Sequence, residues 1–312
     1  MTATDPGPAQ SQPGPQTPPH PVVDSHHHVW DLSVRDRAWL HEDQVWADEE
    51  SLARLRRNFT MADLEPEAAA AGVGATVVVQ TDAEPAETPE LLALADAHPL
   101  VGGVVGWVDL MEPGAGEAIA ALRELPGGEY LAGIRHPVLT EPDDAWLRRP
   151  EVLTGLTDVA AAGLVYDVVC LQRQLPGALA AAEALPGLTL VLDHAGNPED
   201  EPPGNGPWAT IMRGLAALPN TVCKLSGILS VPLAGPGQVD PMIGQYYEVV
   251  LDAFGPDRLM FGSDWPVCTL GSSYPAVFEA AQVLTAGLSP AEQAAIFGGT
   301  ARRTYRLGAG GS

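Results

Sequence analysis

Three cysteines in 312 residues are too few and too scattered for a disulfide framework. Cys170, Cys223 and Cys268 show no C-x-x-C spacing, and two of them fall inside apolar, strand-like runs. They read as buried, reduced thiols, and the expected location is cytoplasmic. Long apolar runs are missing as well, since none approaches the roughly 20 residues that span a bilayer. Basic residues are scarce: 16 Lys and Arg stand against 40 Asp and Glu, for a formal net charge of −24. Such a surface repels phosphate backbones and anionic membranes, so neither a nucleic acid nor a membrane is an expected partner. Residues 1–20, rich in Pro, Gln, Thr and Gly, lack the basic start and apolar centre of a signal peptide. They read as a disordered extension ahead of a single domain over 21–308. A homo-oligomer stays open.

What the chain does have is alternation. Eight short apolar runs, beginning at Val22, Ala75, Val101, Leu131, Leu164, Thr189, Thr221 and Arg258, are each followed by a helical segment. Near-continuous hydrophobic strands fit a parallel sheet buried on both faces. Eight such units predict an α/β protein, a (β/α)8 TIM barrel, with its active site at the C-terminal ends of the strands. A doubly wound open sheet would bring a glycine-rich turn after the first strand, and histidines stand there instead.

The chemistry-bearing residues recur at those strand ends. The first run closes with Asp24-Ser25-His26-His27-His28, and alternation puts His26 and His28 on one face with His27 on the other. Two imidazoles so spaced can converge on one ion, although histidines ending an ordinary strand are equally consistent with H-x-H alone. Gln80 and Asp109 close the second and third strands, Arg135-His136 the fourth and Asp193-His194 the sixth. Lys224 lies on the seventh, and Asp264 ends the eighth before Trp265-Pro266. Of the sequential pairs only one member should point inward. Arg135 is taken for substrate contact, with His136 at the rim, and His194 is taken over Asp193. Lys224 serves either the substrate or a neighbouring carboxylate. Trp30, Trp107, Tyr166 and Trp265 are candidate walls for a substrate ring, and the long 31–60 connection is expected to be functional or a lid.

These phrases, with Gly133-Ile-Arg-His136, Leu192-Asp-His194, Cys223-Lys-Leu-Ser-Gly227 and the closing Phe261-Gly-Ser-Asp264-Trp-Pro, resemble the amidohydrolase superfamily. Within it, the chain is similar to the metal-dependent barrel hydrolases that include sugar lactonases of the L-fuconolactonase and L-rhamnonolactonase type. The resemblance spans roughly residues 21–308. It implies one divalent metal, zinc, held by His26, His28 and Asp264 with His194 as a further ligand, and it leaves metal-independent activity open. It implies a small-molecule lactone as substrate, with Asp264 as general base and the metal or His26, His28 and Arg135 polarising the carbonyl. The fifth strand has no histidine and the fourth ends without lysine, which argues against a binuclear centre. Two alternatives keep the fold: a metal-dependent decarboxylase, or a hydrolase of an anionic lactone using Arg135, Lys224 and Arg173. A catalytically silent sugar-acid binder is disfavoured because every expected catalytic position is filled.

Overall fold

The computed structural model describes residues 21–44, 47–199, 203–230 and 238–308. The expected extension 1–20 and Trp46 of the long connection lie outside them. Strands β1 (Val22–His27), β2 (Val73–Val79), β3 (Val101–Gly106), β4 (Leu131–Pro137), β5 (Val165–Val169), β6 (Leu190–Leu192), β7 (Thr221–Lys224) and β8 (Leu259–Met260) pair in sequence order. Every pairing is parallel. Backbone bonds Ser25 N–H to Phe261 O (3.1 Å), Asp264 N–H to His26 O (2.8 Å) and His28 N–H to Trp265 O (2.7 Å) join the last strand to the first. This is the (β/α)8 barrel.

Helices fill the connections: α1 (Glu49–Leu52), α2 (Met61–Ala70), α3 (Glu87–Ala97), α4 (Ala115–Arg123), α5 (Pro150–Ala161) and α6 (Leu175–Ala184). They continue as α7 (Pro207–Ala216), α8 (Pro241–Phe254), α9 (Tyr274–Thr285), α10 (Pro290–Ala294) and α11 (Thr300–Tyr305). Ser289 caps α10 in a capping box with Glu292, as its sequence predicts. In the sequence Thr88-Pro89 reads as a helix cap followed by proline at the first helical position, but α3 starts earlier. Thr88-Pro89 lies inside its first turn, because the Thr88 hydroxyl is drawn to the backbone of Trp107 (2.8 Å to N) rather than to its own helix.

Burial divides into two shells. Inside the barrel, Val23, Val77, Val79, Val105, Val165, Val191, Val222 and Met260 pack with Ala301 and Tyr305 of α11. The larger shell lies between strands and helices, and Tyr166 belongs to it. Strands β6 and β8 are shorter than their apolar runs suggest. His194, Ala195 and Asn197 after β6, and Asp264 after β8, all take positive φ, which ends strand geometry. A left-handed non-glycine residue costs about 1 kcal/mol, so these turns are held by their surroundings rather than chosen locally. No helix is long and apolar enough to cross a membrane, among the described residues.

Candidate active site

Four side chains from three strand ends converge at the C-terminal mouth. His26 Nε2 lies 3.2 Å from His28 Nε2, and each is 3.6 Å from Asp264 Oδ1. The His194 ring centroid sits 4.8 Å from that of His26. Ligand atoms of His26, His194 and Asp264 all fall within 4.8 Å of one another. A tetrahedral ion with bonds of about 2.0–2.2 Å needs ligand atoms about 3.3–3.5 Å apart, so the histidine pair and Asp264 fit one metal. The far sides of the rings agree. His28 Nδ1–H donates to Val79 O at 2.7 Å, leaving Nε2 bare. His26 Nδ1 lies between the Lys224 ammonium (3.1 Å) and Asp193 Oδ1 (3.3 Å), and His194 Nδ1 bonds Ser226 Oγ at 2.9 Å. Such outer partners orient metal ligands.

Local backbone explains the convergence. Asp24, on the same strand as the two histidines, accepts from the backbone N–H of His26 (3.2 Å) and Ser263 (2.9 Å) and from the Tyr274 hydroxyl (3.1 Å). It therefore ties β1 to the segment that carries Asp264. Gly227, at φ +74°, lies flat against His194; a methyl there would sit 2.6 Å from His194 Cβ. Only glycine leaves the imidazole that room.

Protonation follows from burial. Burial pushes the Asp264 carboxyl above its usual range, and His194 and Arg135 only partly oppose this. Burial also pulls the His28 imidazole down to about 3, with Arg135 acting in the same direction, and lowers His194. Burial thus holds these imidazoles toward the neutral form that a metal ligand needs, and makes Asp264 a stronger base than an exposed aspartate.

Arg135 and His136 divide as the alternation predicts. Arg135 lies inside, its Nη1 3.0 Å from Asp193 Oδ2 and 3.4 Å from His26 Nε2. Its Nη2–H donates to Gln80 O, and Gln80 Nε2–H returns a bond to Arg135 O at 2.8 Å. Arg135 Nε and Gln80 Oε1 are buried without hydrogen-bond partners among the described residues. His136 is at the rim, donating from Nε2 to Glu141 (2.8 Å) and accepting from Trp107 Nε1–H (3.0 Å).

Three expectations need correction. Choosing His194 over Asp193 assumed that strand alternation continues through both, but β6 stops at Leu192 and the left-handed turn brings both residues to the site. Asp193 is wholly buried, and Lys224, His26 and Arg135 outweigh the burial that would raise its carboxyl, holding it well below the ordinary range. Lys224 has no exposed surface; its ammonium is taken by Asp167, Asp193 (3.0 Å) and His26 Nδ1 (3.1 Å), so it cannot reach a substrate. Tyr166 packs in the outer shell, while its neighbour Asp167 points inward to Lys224. Arg173 is half exposed and paired with Asp144 at 2.8 Å.

The remaining aromatic candidates, Trp30, Trp107 and Trp265, are buried, and the indole N–H groups of the first two are engaged. Trp30 Nε1–H donates to Arg57 O, and its ring meets Trp39 and Phe59 edge-on, with Phe59 in turn against Trp265. Asp193, Asp167, Ser226 and Tyr305 went unassigned in the sequence; the Asp-His pair after β6 was the one visible signal.

The family described as amidohydrolase matches residues 23–307. An L-fucono-1,5-lactonase of Burkholderia multivorans is 37% identical over 295 residues, 91% of this chain and 96% of that protein. One from Burkholderia ambifaria is 36% identical over 289 residues, covering 91% and 95%. A crystal structure of an amidohydrolase from Burkholderia multivorans with bound zinc superposes with a TM-score of 0.82 at 36% identity, covering 92% of this chain and 99% of that one.

Proposed function

The chain belongs to the amidohydrolase family, and from that premise we propose that it is a lactonase. It opens the ring ester of a sugar lactone, L-fucono-1,5-lactone or a close relative. The observation that carries this reading is a base, Asp264, set 3.6 Å from two histidines, with the Arg135 guanidinium 3.4 Å from one of them. That is a proton acceptor beside groups able to stabilise an oxyanion.

Ionised Asp264 takes a proton from water as its oxygen attacks the lactone carbonyl carbon. Negative charge develops on the carbonyl oxygen, where Arg135 offers a fixed cation and its unpartnered Nε–H. His194, held by Ser226, orients the reacting group. The tetrahedral intermediate collapses with cleavage of the ring C–O bond, and protonated Asp264 gives its proton to the departing alkoxide. The product is the open-chain hydroxy acid. His26, His28, His194 and Asp264 are the residues that would hold a divalent ion. Zinc, bound in the solved relative, would add Lewis-acid polarisation of the carbonyl. Gln80 Oε1 is a free acceptor for a sugar hydroxyl, and Trp30, Trp107 and Trp265 supply apolar faces. The three buried, unpaired cysteines suit a reducing cytoplasm.

A pH-indicator assay over aldonolactones, with protein as purified, chelated and zinc-supplemented, tests the reading. Acid release from L-fucono-1,5-lactone, weaker with lactones of other stereochemistry, is expected. Silence across the panel, with carbon dioxide released from an aromatic acid instead, would replace it with decarboxylation.

A further inference from the structure

The mouth stands on a buried column of charge whose deeper members the proposed chemistry does not touch. Lys224 is the only lysine in the chain. Its ammonium is enclosed by Asp167, Asp193 and His26. Asp167 also accepts the Tyr305 hydroxyl, which is 2.8 and 3.0 Å from its two oxygens. Tyr305 ends α11 and packs among the interior valines. Two residues on, Leu307 lies against Gly102 and Gly103 near the start of β3, so this closing segment seals the end of the barrel opposite the mouth. At the upper end of the column, Asp193 Oδ2 holds Arg135 Nη1 at 3.0 Å.

A buried ion cluster adds little net stability, because desolvation offsets most of its attraction. What it supplies is geometry. With two cations and two carboxylates alternating, each charge has one arrangement that leaves none unpaired. A carboxylate shared between Lys224 and Arg135 cannot swing without breaking one of those contacts. We propose that Tyr305, Asp167 and Lys224 are positioning residues: they fix Asp193, and Asp193 aims the Arg135 guanidinium at the substrate carbonyl. The proposal rests on the reading of Arg135 as the group that meets that oxygen.

A double-mutant cycle on the full-length protein tests it. Tyr305→Phe removes a single hydroxyl and is expected to lower kcat 10- to 100-fold with KM within about twofold, the signature of a misaimed catalytic group. In an Arg135→Lys background the same change should cost less than twofold, since the relay has lost its end point. Additive losses in the two backgrounds, or an unchanged kcat in Tyr305→Phe, overturn the proposal. Tyr247→Phe, which removes a buried hydroxyl with no partner among the described residues, should change neither constant. Asp167→Asn keeps an acceptor for Tyr305 and asks the same question if Tyr305→Phe does not fold.

A readout without substrate separates this idea from the lactonase reading. The side-chain Nε–H NMR signal of Arg135, identified by its loss in Arg135→Lys, should be sharp in the wild type and shifted or broadened in Tyr305→Phe. A signal already averaged in the wild type, or unaltered in the variant, overturns the relay. A protein that opens no lactone but shows the expected change sinks the reaction and keeps the relay.

Discussion

At the scale of single residues, the candidate site works through groups that burial holds away from their solution behaviour. His27 shows it outside the chemistry. It points away from His26 and His28, is wholly buried and contacts Thr76 Oγ1 at 2.9 Å. Burial pulls its imidazole down from 6.5 to about 3. Between those values the unfolded chain binds the proton and the folded one does not, so stability is complete above pH 6.5 and falls as the pH drops toward 3. One such group contributes a slope of about 1.4 kcal/mol per pH unit. His27→Gln, uncharged and long enough to reach Thr76, should lose less melting temperature between pH 7 and pH 5 than the wild type. Equal losses would mean that His27 is not the buried neutral group described. The pairing of His26 with His28 was legible in the sequence because alternation on one strand is local. The enclosure of Lys224 was not, because depth in a barrel interior is set by its partners. One of these, Asp167, is recruited by a tyrosine 138 residues away.

At the scale of elements, the apolar runs announced eight strands, and all eight are present in order. What they did not announce was where strand geometry gives out. Asp193-His194 and Asp264 lie just past shortened strands, in left-handed turns set by tertiary contacts, and there the two-residue alternation no longer sorts inward from outward. The β7 turn against β6 carries its own prediction. Gly227→Ala puts a methyl 2.6 Å from His194 Cβ at a φ of +74°, so His194 must move. The expected outcome is a kcat 10- to 100-fold lower and a stability loss of about 1 kcal/mol or more. Gly244→Ala in α8, where an added methyl meets nothing within 4 Å, should instead gain about 0.5–1 kcal/mol. Turnover and thermal melts on both variants check the contrast, and an active Gly227→Ala would show that His194 tolerates displacement.

At the scale of the whole molecule, a net charge of −24 surrounds a mouth whose local cations face inward carboxylates. Such a field does not act on a neutral lactone, while it opposes the approach of an anionic one and favours departure of the carboxylate product. With the Debye length shrinking from about 10 Å at 0.1 M salt to about 3 Å at 1 M, kcat/KM for L-fucono-1,5-lactone should stay flat across that range. Any residual activity on an anionic lactone should rise with salt. A steep salt dependence for the neutral lactone would contradict this picture. Composition made this feature legible at once, since net charge needs no fold. The choice of lactone did not yield to the same reading, because selectivity depends on shape.

The mechanism turns on Asp264 as the base. The decisive measurement is the pH profile of kcat/KM for lactone opening by the wild type and by Asp264→Asn. Burial raises the Asp264 carboxyl above 3.8 and the base must be ionised, so wild-type activity should climb with pH through an acid limb lying above that value. Asp264→Asn should be slower by about 10²–10⁴-fold, the range for loss of a general base, and should lack that limb. An asparagine variant that keeps both the wild-type rate and the acid limb would contradict the mechanism.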